Sequence, residues 1–185
     1  VLAKAAGAIG VVAIVIIVIA ALVDIDRRWV PADEGTAMYI RPTLMASETM
    51  LGVRPADEYR MFVILSPVGS YYLRGMAPTR IWAEENFSRV PMGGTGEAKT
   101  GGNYAASLKG SMVAEEKGFD QVLWLDAVQR KYVEEVGSMN ICFVYDGKVV
   151  TSPLKGTILD GITRRSILTL VKEMGITVEE RALTV

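Results

Sequence analysis

The chain has 185 residues, half of them apolar and 22% charged, with a formal net charge of -1. This length suits one domain or parts of two with a substantial core, and the near-neutral charge gives no electrostatic case for nucleic acid. The absence of histidine excludes imidazole metal sites and Ser-His-Asp triads, and a single cysteine, Cys142, excludes an internal disulfide.

Residues 5–23 carry no charge, between Lys4 on one side and Asp24, Asp26, Arg27 and Arg28 on the other. By length the run qualifies as a membrane span. It also reads as a buried helix, favoured by length, or a buried strand, favoured by Val and Ile density. Trp29-Val30-Pro31 ends it and residues 32–36 form a polar turn. Residues 37–42 read as a strand that stops at Pro42. Within it Arg41 is either a surface residue or needs an anionic partner. Residues 58–67 form a second strand. Pro67-Val68-Gly69-Ser70-Tyr71-Tyr72 punctuates it as an ordered linker, and a domain boundary falls between Gly69 and Pro78. A short strand over 79–83 precedes a polar stretch to Arg89.

Gly93, Gly94, Gly96, Gly101 and Gly102 then crowd Lys99, with Tyr104 just beyond. Glycine lets backbone approach a ligand closely. Three readings stand for Lys99. It is a solvated lysine in an exposed loop. Or it belongs to a phosphate loop, although Ala98 stands where the pattern requires the second glycine. Or it is a Schiff-base lysine, because a desolvated amine loses its proton more readily and then attacks a carbonyl.

Residues 104–117 read as a helix closed by Gly118. Residues 121–125 form a strand, 126–131 a turn, and 132–136 a further extended stretch. Glu134 and Glu135 are adjacent, so in extended chain one is expected to face solvent and the other a site. Cys142 lies in an apolar run and reads as a core residue. Asp146-Gly147 between apolar runs signals a hairpin. Asp160 reads as an N-cap to a helix beginning near Ile162. The amides of Ile162 and Thr163 at its start suit an anion. A last strand begins over 176–178.

The segments MYIRP, LGVRPADEY, FVILSPVGSYY, GGNYAASL after a lysine, QVLWLDA, YVEEVGSMN and ILDGITRRSIL occur in this order. Together they resemble the branched-chain amino acid aminotransferases of pyridoxal-phosphate fold type IV, from about Asp24 to Val185. Over the first two dozen residues the likeness fails, since the family has an amphipathic helix there. The resemblance implies an α+β fold. Residues 1–68 would be part of the small domain and 69–78 the interdomain linker. Residues 79–185 would be part of a large, mixed-sheet, barrel-like, cofactor-binding domain. It implies transamination of Leu, Ile or Val with 2-oxoglutarate, with Lys99 joined to pyridoxal 5'-phosphate and later shuttling the substrate proton.

Tyr104 would lie beside the reacting centre and contact both cofactor and substrate. Glu135 would pair with the pyridine nitrogen, keeping it protonated so that the ring withdraws electrons. The Ile162 and Thr163 amides would hold the phosphate. Tyr39 would line the substrate side, Arg41 would bind the distal carboxylate of 2-oxoglutarate, and Ser138, in place of threonine, would line the pocket. Family members often have proline where Asp160 stands, so the phosphate site departs there from the pattern. The N- and C-terminal segments of the family are not visible, which reads as an incomplete version of a longer protein. A homodimer in the cytoplasm is implied, with amino acids and 2-oxo acids as partners and no membrane. Alternatives are another fold-type IV enzyme, either a D-amino acid aminotransferase or an aminodeoxychorismate lyase. A membrane-anchored or inactive binding protein is the alternative of another class.

Overall fold

The computed structural model describes residues 2–70, 75 and 77–185, with side chains described from Val12 onward. The chain divides into two compact units, Val1–Ala77 and Pro78–Val185. Of the expected linker 69–78, residues 71–74 and 76 lie outside the described residues.

The first unit opens with helix α1 (Leu2–Ile25), so length rather than β-branched content decides the apolar run. Its side chains are described over residues 12–25. Among the described residues no helix is long and apolar enough to cross a membrane. A single 3-10 turn, Arg27–Trp29, follows. Strand β1 (Ala37–Ala46) pairs antiparallel with β2 (Tyr59–Val68), from Ala37 opposite Val68 to Ala46 opposite Tyr59. Sequence reading ended β1 at Pro42; the strand instead runs four residues further, with Pro42 opposite Val63. Each strand of a two-stranded sheet has an outer edge, where the missing N–H of proline leaves no ladder bond unmade.

The second unit contains two three-stranded sheets. Strand β3 (Ile81–Glu84) lies parallel to β4 (Gln121–Leu125), and helix α2 (Gly101–Glu116) is in the connection between them. Strand β5 (Val133–Val136) adds antiparallel to β4. The other sheet has β6 (Cys142–Tyr145) antiparallel to β7 (Lys148–Thr151), and β7 parallel to β8 (Val178–Glu180). Helix α3 (Ile162–Glu173) precedes β8. Among the described residues neither sheet closes into a barrel. The β6–β7 turn forms at Asp146 and Gly147, both with positive φ (47° and 73°), as the Asp-Gly pair foretells.

The core gathers Ala114, Val122 and fully buried Trp124, with Trp82, Phe87 and Phe119 against them. Gly110 lets α2 lie close on β4, because a Cβ there would come 2.7 Å from the Trp124 ring. The Trp124 indole N–H donates to the Gly137 carbonyl at 2.9 Å, tying the core to the turn after β5. Buried Glu84 stays charged: burial opposes ionisation, but the Asn86 and Phe87 amides and the Trp82 indole donate to it and hold its pKa below the ordinary value.

Candidate active site

Strand β5 carries the central feature. All four of its residues are buried, so the expectation that Glu134 or Glu135 faces solvent is overturned. The cause is tertiary cover. The Val133 amide donates to the Leu183 carbonyl at 2.9 Å, so the last residues of the chain lie along β5. Thr157 donates its hydroxyl to Glu134 Oε1 at 2.5 Å. Glu135 Oε1 accepts from the Asn140 side-chain amide and the Leu159 backbone amide, each at 3.1 Å. Its Oε2 lies 3.1 Å from Arg89 Nη2.

Burial pushes both carboxyls above the ordinary glutamate pKa. Arg89 and the Leu159 amide oppose this at Glu135, while the Glu134 charge adds to it. At Glu134 the Thr157 hydroxyl and Arg89 oppose it, and Asp126 adds to it. A carboxylate has about four acceptor directions. Hydrogen bonds fill two on Oε1 and the Arg89 ion pair lies against Oε2, which leaves an acceptor direction on Oε2 for a ligand.

Asn103, buried in the first turn of α2, organises the glycine run around Lys99. Its Nδ2 donates to the carbonyls of Thr95 and Ala98 at 2.8 and 2.9 Å, and its Oδ1 accepts from the Thr95 hydroxyl at 2.6 Å. The turn immediately before Lys99 is therefore clamped on both sides. Helix α2 begins at Gly101, three residues earlier than sequence reading placed it. Lys99 itself is exposed, so burial among apolar groups, which the sequence argument for its reactivity assumed, is not found. Its Nζ lies 5.9 Å from the Tyr104 ring centroid.

The N-cap of α3 is Gly161, not Asp160 as expected, and no side chain caps the helix. By helix geometry the Ile162 and Thr163 amides have no intrahelical acceptor. Asp160 instead faces Arg165 Nε at 3.6 Å. A Cβ on Gly161 would strike Asn140 Oδ1, so glycine is needed where the helix start meets the Glu135 network.

These parts surround one cavity of about 730 Å³, lined by Lys99, Tyr104, Glu135, Ser138, Ile162 and Thr163 among others. Its volume is that of a small-molecule site. The six second-unit residues that the resemblance assigns to cofactor or substrate thus line a single cavity. Tyr39 and Arg41 belong to the first unit, both exposed on β1, where Arg41 Nη2 donates to the Tyr39 hydroxyl at 2.8 Å. The arginine also stacks over that ring, 5.0 Å from its centroid.

The class IV aminotransferase family model matches residues 19–185. The chain belongs to this family. Branched-chain-amino-acid aminotransferase 2 of Bacillus subtilis is 55% identical to this aminotransferase chain over 164 residues, 89% of the chain and 45% of the relative. A probable branched-chain-amino-acid aminotransferase of Staphylococcus aureus strain MRSA252 is 52% identical over 165 residues, 89% of the chain and 46% of the relative. The chain therefore spans about half the length of the curated relatives it matches. The branched-chain amino acid aminotransferase of T.th., solved with pyridoxamine 5'-phosphate, superposes with TM-score 0.71 at 30% identity, covering 80% of this chain and 49% of that one. An aminotransferase from Brucella abortus bound to PLP gives TM-score 0.71 at 26% identity, covering 83% and 54%. The mixed α and β architecture is that of the fold-type IV aminotransferases.

Within this class IV chain, sequence reading missed Arg89 and the parts that Asn103 and Asn140 play. Arg89 sits in a polar stretch that reads as solvated, yet it is 8% exposed. A signal was available: two adjacent glutamates in an apolar strand need a buried cation or a proton.

The donor set fits pyridoxal phosphate. One acceptor direction on a buried carboxylate suits a ring N–H, two helix-start amides suit a phosphate, and a primary amine lies in the same cavity.

Proposed function

We propose that the protein transfers amino groups reversibly between Leu, Ile or Val and 2-oxoglutarate, using pyridoxal 5'-phosphate held in this cavity. The single observation that carries the reading is the convergence of Lys99, Glu135 and the α3 start on one cavity. The cofactor supplies a carbonyl that takes up the amine and a ring that withdraws electrons from the substrate Cα. Lys99 would hold the cofactor, and its Nζ, once free, would accept the proton from the substrate Cα. Glu135 holds the proton on the ring nitrogen through the acceptor direction left on Oε2. The Ile162 and Thr163 amides bind the phosphate, where the helix dipole favours negative charge. Tyr104 orients the Lys99 amine, and Ser138 lines the substrate side. Tyr39 lines the substrate side and Arg41 binds the distal carboxylate of 2-oxoglutarate; the Arg41–Tyr39 hydrogen bond pre-orients the guanidinium for a bidentate contact.

The family resemblance supports residues 1–68 as part of a small domain, 69–78 as the linker and 79–185 as part of the large domain. It likewise supports a cytoplasmic homodimer, which sedimentation and cell fractionation would test.

The deciding experiment is an absorption spectrum of the protein with pyridoxal phosphate, before and after leucine. A visible band that depends on Lys99 and fades with leucine supports the reading. A band unchanged by Lys99→Ala would sink it.

A further inference from the structure

We propose that Arg89 is a positioning residue that acts through Glu135: seated on Thr157, it turns the buried carboxylate so that one acceptor direction on Oε2 faces the cavity. This rests on the reading that the cavity takes pyridoxal phosphate with its ring nitrogen toward Glu135.

The geometry is specific. Nη2 of a guanidinium carries two hydrogens. One is donated to the Thr157 carbonyl, and the same nitrogen lies 3.1 Å from Glu135 Oε2 as an ion pair. Arg89 and Glu135 are 8% and 4% exposed at their side chains, so water does not substitute for either. Arg89 Nε is buried with no acceptor.

The seat is itself braced. Thr157 is 5% exposed, its hydroxyl is held by Glu134 at 2.5 Å, and its backbone lies against Gly96 in the Lys99 loop. The same threonine therefore touches the lysine-bearing loop, the arginine and the second glutamate.

Removing Arg89 has a chemical consequence beyond lost packing. The charges that act on Glu135 are Arg89, Glu134 and Lys99, and Arg89 is the one in contact with it. Without that contact, burial favours the neutral acid. A protonated Glu135 would meet a ring N–H donor with a donor of its own. A lysine at position 89 keeps the charge but lacks the planar fork. It therefore cannot keep both the Thr157 and Glu135 contacts in this geometry.

The test measures the dissociation constant of pyridoxal phosphate for the protein and for Arg89→Lys, Glu135→Gln and the double variant. It also follows the Glu135 carboxyl by ¹³C NMR titration of the ligand-free protein and of Arg89→Met. Arg89→Lys is expected to weaken binding about tenfold or more, but less than about twofold when Glu135 is already Gln, because contacting residues do not act additively. Arg89→Met is expected to raise the Glu135 midpoint by ~1 pH unit. Equal losses in both backgrounds, or an unmoved midpoint, overturn the proposal. Failure of both Arg89 variants to fold also overturns it, since the residue would then hold the domain rather than the carboxylate. If the unaltered protein binds no pyridoxal phosphate, the functional reading fails, and the ligand-free titration alone judges whether Arg89 governs Glu135.

Discussion

Gly96 and Thr157 meet backbone to backbone: a Cβ on Gly96 would lie 2.5 Å from the Thr157 Cα, carbonyl carbon and oxygen. This contact joins the Lys99 loop to the segment that seats Arg89, and rigid backbone atoms cannot yield as a side-chain tip can. Gly96→Ala is expected to destabilise the chain by ~1–3 kcal/mol and to weaken pyridoxal phosphate binding. Gly101, in the first turn of α2, meets nothing within 4 Å. Gly101→Ala is expected to stabilise by ~0.4–1 kcal/mol through the unfolded chain. Thermal unfolding of the two variants checks the opposite signs, and equal shifts would refute the close approach at Gly96.

Asn103 supplies two donors and one acceptor to the turn before Lys99. Asn103→Ala leaves the Thr95 and Ala98 carbonyls without that partner and is expected to cost ~1–3 kcal/mol. Asn103→Asp replaces the amide donors with an oxygen that faces two carbonyls, so it should be the worse variant at neutral pH. Denaturant unfolding gives the order, and an Asp variant more stable than Ala would contradict the clamp.

Much of this site was legible because its parts are local. The Asp146-Gly147 turn, the strand over 121–125 and the glycines around Lys99 each carry their signal within a few residues. What failed was long-range. The period-2 rule put one of Glu134 and Glu135 in water, but residues 157–159 and 183–184 cover β5 from far along the chain. Arg89 was invisible for the same reason, since its neighbours in sequence are polar while its partners, Glu135 and Thr157, are remote. Pro42 reads as a strand end only if the strand is interior, and local sequence does not say that it lies on an edge.

Asp126 caps the turn after β4 by accepting from the amides of Val128, Gln129, Lys131 and Tyr132, at 2.6–3.1 Å. Burial opposes its charge, but these four bonds outweigh burial and lower its pKa to about 2. A carboxyl with a depressed folded pKa contributes stability above its unfolded value of about 3.9 and loses it as pH falls toward the folded value. Asp126→Ala is expected to cost roughly 1.5–3 kcal/mol at neutral pH. The gap between variant and parent should be constant above about pH 4 and narrow between there and about pH 2. Urea titrations at stepped pH test this, and a gap that does not narrow on acidification would exclude Asp126 as its source.

Glu134 shows the reverse sign. Its Oε2 is buried without a hydrogen-bond partner, and Arg89 is already committed to Glu135. Burial raises its pKa above 4.5, so the folded chain holds that proton more tightly than the unfolded chain. Its contribution is therefore fully present below the ordinary glutamate value and is lost as pH rises through the elevated folded one. Glu134→Gln keeps the shape and an acceptor for the Thr157 hydroxyl but removes the buried charge. It is expected to raise Tm by about 2–4 °C at pH 8, corresponding to about 1 kcal/mol for a chain of this size, with little change at pH 5. Glu135→Gln removes the acceptor aimed into the cavity, so it should weaken pyridoxal phosphate binding at both pH values. Calorimetric scans at the two pH values separate the neighbours: a Glu134→Gln gain that is equal at pH 5 and pH 8 would show that the buried charge is not what limits the fold.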